Sequence, residues 1–182
     1  MPSLLTAEEL LYLTEPDKQT ELLRGTLIVR EPPGYQHGVV ALKVARLIAN
    51  HVHDHGLGTV VAAETGFKLF SNPDTVRAPD AAFIRQGRAP EPALDGYPAL
   101  APDLVVEVVS PSDRAGEVQA KVSDWLTAGS RLVWVIDPAS QTGSHLSRRR
   151  VRRSARESGC ARWRGRAAGI LLLPRGPLVS TW

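Results

Sequence analysis

Leu104-Val105-Val106-Glu107-Val108-Val109 places a carboxylate in the middle of an almost unbroken aliphatic run. Such a run marks a strand covered on both faces, where a lone carboxylate is costly to bury. Glu107 therefore needs a cation, a hydrogen-bonding partner or a proton, and a metal ion would satisfy it. Upstream, Ala78-Pro79-Asp80-Ala81-Ala82-Phe83-Ile84 sets a second carboxylate at the mouth of another short apolar strand. If the two strands lie side by side, Asp80 and Glu107 meet, and their oxygens suit Mg²⁺ or Mn²⁺ rather than zinc. Lys121 is the third candidate. It lies at the edge of a helical apolar face made by Val118, Val122, Trp125 and Leu126, from which it can lean toward Glu107. A lysine there can position an attacking hydroxide or stabilise a pentavalent phosphate. Asp80 after a proline also reads as a turn former, and Lys121 with Glu117 as an ordinary i, i+4 pair. Only Glu107 lacks a structural excuse.

The elements that must position these groups follow from pattern. Thr6 and Glu9 form a capping box ahead of Leu10, Leu11 and Leu13, which predicts a short helix ending before Pro16. Glu21 to Arg24 and Thr26 to Arg30 predict a tight hairpin with Gly25 at its φ > 0 position. Val40, Val44, Leu47, Ile48 and Val52 predict a long helix from His37 to His55, with Gly56 at its end. Strands are expected at Thr59 to Ala63, Gly66 to Phe70, Ala81 to Ile84, Leu104 to Val109 and Leu132 to Ile136, with a helix from Arg114 to Ala128 before the last. The fold class is α/β, a mixed central sheet flanked by helices. Between Ser140 and Ala168 we read no strand or helix.

Length suits about one domain, and 43% hydrophobic against 23% charged residues excludes a fibre or a disordered tail. The aliphatic run Ile170 to Leu173 is far short of the roughly 20 residues that span a bilayer. Met1 to Leu13 has Glu8 and Glu9 but no Lys or Arg, unlike a secretory leader, so the expected location is cytoplasmic. The single cysteine, Cys160, makes no intramolecular disulfide and no thiolate zinc site. The net charge of +3 divides unevenly: residues 1–139 hold 12 Lys/Arg against 18 Asp/Glu, and residues 140–182 hold 10 against 1. We therefore divide the chain into a domain, 1–139, and an atypical arginine-rich segment, 140–182. That segment is either a phosphate-binding arm or the product of a frame-shifted reading of a GC-rich gene, and its lysine-free composition favours the second.

Residues 20–138 resemble the Uma-two family of endonucleases, within the PD-(D/E)xK restriction-endonuclease-like superfamily. Thr20 to Leu27 is similar to its opening hairpin and Arg77-Ala78-Pro79-Asp80-Ala81-Ala82-Phe83 to its PD motif. The clearest likeness is Ala101 to Ser112, followed by Lys121 and by Ala128 to Pro138. The resemblance implies a restriction-endonuclease-like fold, Asp80 and Glu107 as metal ligands, and Lys121 as the catalytic lysine. It also implies Mg²⁺ or Mn²⁺ as cofactor and DNA as substrate. In the superfamily pattern the lysine follows the acid by two residues, a position held here by Val109, so Lys121 on the next helix takes its place. His37 is similar to a polar position at the edge of the family's site, although a capping or surface role accounts for it as well.

The function expected is metal-dependent hydrolysis of DNA phosphodiester bonds. The alternative is a catalytically inactive, nucleic-acid-binding or regulatory protein of the same fold. A homodimer would place two sites on one duplex, and the acidity of residues 1–139 argues mildly against tight unassisted binding. A zinc site at His51, His53 and His55 is set aside, because on a helix His51 and His55 share a face and His53 points elsewhere. Glu21 and Glu64 are set aside as well, since a hairpin glutamate is usually solvated.

Overall fold

The computed structural model describes residues 4–13, 15–91 and 94–147; the arginine-rich run that begins at Arg148 lies outside them. Helix α1 (Ala7–Tyr12) opens on the predicted capping box: Thr6 accepts from the Glu9 amide, and Glu9 accepts from the Thr6 amide. Strands β1 (Gln19–Leu23) and β2 (Thr26–Arg30) form the predicted hairpin. Arg24 and Gly25 both have positive φ, 49° and 77°, which fits the tight turn that follows the right-handed twist of the two strands. Helix α2 (Tyr35–Asp54) ends in a Schellman motif. Gly56, φ 60°, donates to the His53 carbonyl and Leu57 donates to that of Val52.

The remaining elements are β3 (Gly58–Ala62), β4 (Phe67–Phe70), β5 (Thr75–Arg77), β6 (Ala81–Arg85), β7 (Leu104–Val108), α3 (Ala115–Ala128), β8 (Leu132–Asp137) and β9 (Thr142–Ser147). The mixed central sheet has the order β3-β6-β7-β8-β9, with β7 and β8 parallel and the other pairs antiparallel. A second, antiparallel sheet, β2-β1-β5-β4, was not anticipated. It depends on β5, three residues inside a proline-bearing stretch, which pairs with β1 at one position, Leu22 with Val76. The expectation of no strand between Ser140 and Ala168 is overturned at Thr142–Ser147, and Ile170 to Leu173, where the sequence allows a short strand, lies outside the described residues. β9 pairs with β8 over six consecutive positions, although its sequence TGSHLS has a single large apolar residue and most of its side chains are exposed or half-buried.

Alternation along β7 decides what faces what. Leu104, Val106 and Val108 pack with Val40, Val44, Ile48 and Val52 of α2, while Val105 joins Phe67, Ile84, Val133 and the α3 residues Val122, Trp125 and Leu126 on the opposite face. Burying such aliphatic and aromatic side chains contributes about 1.5–3 kcal/mol each. All five residues of β7 are buried, and by the two-residue period Glu107 shares the α3 face with Val105. Leu22 of β1 packs on α1 with Leu10 and Val76, so its neighbour Glu21 faces the other way, toward α3.

Candidate active site

Asp80 and Glu107 meet because β6 and β7 pair antiparallel with Ala81 opposite Val106; one further step in that register sets Asp80 across from Glu107. Asp80 replaces part of the ladder that β6 has not yet begun. Its amide donates to the Val106 carbonyl at 3.0 Å, and its Oδ2 accepts from the Val108 amide at 2.6 Å. Its Oδ1 lies 3.2 Å from His37 Nε2, at the first turn of α2. This bond raises the His37 pKa, against the opposing effect of burial.

Glu107 is buried and held on one oxygen. Trp125 Nε1 donates to its Oε1 at 2.6 Å, and Lys121 Nζ lies 3.6 Å from its Oε2. Burial pushes its pKa up to about 7, with Asp80 and Glu21 adding to the rise and Lys121 and the indole bond opposing it. Lys121 therefore does lean over the sheet as its helical position predicts. Burial works against its charge, yet Glu107 and Glu21 outweigh that and raise its pKa, so it is an ammonium at neutral pH.

Glu21 corrects the reading of a solvated hairpin glutamate. It is 4% exposed and is surrounded by cations and donors: Arg77 Nη1 at 2.9 Å, Lys121 Nζ at 3.4 Å and the Ala78 amide at 3.1 Å. Arg77, 3% exposed, also donates to Asp124 Oδ2 from Nε at 3.0 Å and from Nη2 at 2.7 Å. Lys121, Asp124 and Trp125 share one side of α3, and each holds or is held by a buried charged group. Alternation along β1 sets Glu21 on the face opposite Leu22, which reads as solvent-facing, so no sequence signal marked Glu21, Arg77 or Asp124, whose partners are distant in sequence. Glu64, by contrast, is exposed, with an amide contact from Gln19 at 3.3 Å. His51 and His55 stack with ring centroids 4.4 Å apart at the end of α2.

Asp80, Glu107, Lys121, His37 and Glu21 line one cavity of about 440 Å³ between the two sheets and the start of α3. Among the described residues no three His, Cys, Asp or Glu form a complete metal cage. The two carboxylates nevertheless fit a hard divalent cation: they come from facing positions of paired strands, and burial leaves the charge of Glu107 incompletely compensated by Lys121 and Trp125. Mg²⁺ commonly takes one or two carboxylates and completes its shell with water and substrate phosphate.

The sequence matches the profile of the Uma2 family, described as “Putative restriction endonuclease”, over residues 7–159. The chain belongs to the Uma2 family. Among solved structures, an Anabaena variabilis protein described as a “putative nuclease” shares the fold at 23% identity and a TM-score of 0.69, covering 79% of each chain. No curated protein matches the chain. This Uma2 protein thus has the α/β architecture expected of it, and its family is one of nucleases. No helix among the described residues is long and apolar enough to cross a membrane.

Proposed function

We propose that this protein is a metal-dependent endonuclease that hydrolyses DNA phosphodiester bonds, with Asp80 and Glu107 as ligands of Mg²⁺ or Mn²⁺ and Lys121 as the catalytic cation. The observation that carries the reading is the convergence of Asp80, Glu107 and Lys121 from two paired strands and a crossover helix into one cavity. When bound, the metal would activate a water and offset phosphate charge. The chain's own groups do the rest. Lys121, charged at neutral pH, sits where it can donate to a phosphoryl oxygen as negative charge grows there. Glu21 holds that ammonium in place from the side opposite the sheet. Trp125 fixes one oxygen of Glu107 and leaves Oε2 beside Lys121, while Asp80 is oriented through both oxygens, Oδ1 by His37 and Oδ2 by the Val108 amide. These groups are preorganised by burial, so little reorganisation accompanies the reaction.

The test is nicking of supercoiled plasmid by the full chain in Mg²⁺ or Mn²⁺, compared with Asp80→Asn, Glu107→Gln and Lys121→Met variants whose circular dichroism matches the parent. Metal-dependent nicking lost in all three is the expected result. Parental rates in Glu107→Gln refute the site. A folded parent that binds DNA without cutting it is the inactive binding protein instead.

A further inference from the structure

A second cavity of about 410 Å³ adjoins the first, sharing His37, Val109, Ser110 and Asp113 in its walls. Its character is different. The catalytic cavity holds Lys18, Arg30 and Lys121 among its carboxylates, whereas no lysine or arginine lines the second, whose walls carry His37, Asp113 and Asp137. A phosphate finds no lysine or arginine to pair with there, and a neutral group needs none. At its wall Tyr35, the first residue of α2, is 82% exposed. Placed at the wall of this cavity, its open ring offers a face on which a base can stack. Both carboxylates are anchored. Asp113 Oδ2 accepts from the Ser110 amide and Oδ1 faces Arg30, while Asp137 accepts from Ala139 and Ser140. Their remaining lone pairs can accept from the amino groups of a base edge.

We propose that this second cavity is a base subsite, in which Tyr35 stacks on an unpaired base next to the phosphate held in the catalytic cavity. The inference rests on the nuclease reading of the first cavity and adds a substrate class to it. A base inside a continuous duplex has no free face, so the enzyme takes single-stranded DNA or the transiently unpaired stretches of a supercoiled plasmid.

The probe is a fluorescein-labelled 12-nucleotide DNA strand and a matching strand of abasic spacers, titrated with the full chain in Ca²⁺ and followed by anisotropy. Base stacking on an aromatic side chain corresponds to roughly 5- to 150-fold in affinity. The parent should therefore bind the base-bearing strand more tightly than the abasic one by a factor in that range. Tyr35→Ala should lose the difference and Tyr35→Phe should keep it. In Mg²⁺, Tyr35→Ala should raise KM for the single strand with kcat unchanged. An equal preference for bases in parent and Tyr35→Ala overturns the subsite, and so does a loss in Tyr35→Phe as large as in Tyr35→Ala. Cutting that survives either result leaves the nuclease reading intact. Base-dependent binding lost in Tyr35→Ala by a chain that cuts nothing upholds the subsite and overturns the nuclease reading. Binding to neither strand overturns the subsite, and plasmid nicking alone then decides the nuclease reading.

Discussion

Replacing Glu107 with glutamine should stabilise the metal-free protein above neutral pH and leave it nearly unchanged in acid. Burial moves the Glu107 pKa from 4.5 to about 7. The folded protein therefore keeps a proton that the unfolded chain has already released across that interval. Below about pH 4.5 both states are protonated and there is no penalty. As pH rises toward 7 the folded state is progressively disfavoured, and above 7, where both states are ionised, the penalty is complete. At about 1.4 kcal/mol for each tenfold, a displacement from 4.5 to about 7 is about 3 kcal/mol. Glutamine resembles the protonated acid, keeps an oxygen for the Trp125 indole and does not titrate. The gap between variant and parent should therefore open from near zero at pH 4.5 to about 3 kcal/mol at pH 8. In a chain of this size that is roughly 6–12 °C in Tm. Scanning calorimetry of both proteins in chelator at half-unit pH steps measures it, and the other titrating groups cancel in the difference. Mg²⁺ at about 100 times its Kd should return about 2.7 kcal/mol to the parent alone. A gap that is constant with pH, or that closes as pH rises, would falsify the account of Glu107 as an under-compensated buried carboxylate.

Three further outcomes follow from neighbouring contacts. Trp125→Phe keeps a buried ring but removes the donor to Glu107 Oε1; it should cost about 1–3 kcal/mol and weaken the Mg²⁺-induced rise in Tm, whereas a purely packing role would leave that rise intact. Arg77→Ala leaves Glu21 and Asp124 without their shared guanidinium and should cost about 3–5 kcal/mol in urea unfolding. Arg77→Lys should restore only part of this, because a single ammonium does not reproduce the forked contacts. Gly58→Ala would set a Cβ 2.2 Å from the Ile84 carbonyl oxygen at φ 147°, so β3 must move off β6; a cost of at least about 1–3 kcal/mol is expected, and a midpoint equal to the parent's would refute the close approach.

What the sequence disclosed and what it concealed have one physical cause. Local pattern reports burial along an element, and β6, β7, α2 and α3 each bury a face long enough to be read. Glu107 stands out against those faces as a charge where an apolar residue is due, whereas Asp80 at a strand mouth and Lys121 at the edge of a helical face each had an ordinary reading and gained meaning only beside it. β9 has little face to read, because it is an edge strand held to β8 by backbone bonds. β5 is too short, and the second sheet exists only through its pairing with a strand more than fifty residues away. Charge compensation is hidden for the same reason. Glu21 looks like a surface hairpin residue until Arg77 and Lys121 arrive from β5 and α3, and Arg77 is an ordinary arginine until Asp124 joins it. A buried charge is tolerated only when its partners surround it, and here the partners come from different elements. The carboxylate whose compensation is incomplete, Glu107, is the one that interrupts an aliphatic strand. That is why the centre of the site could be read from one hexapeptide, while the ion pairs that hold Lys121 in place could not.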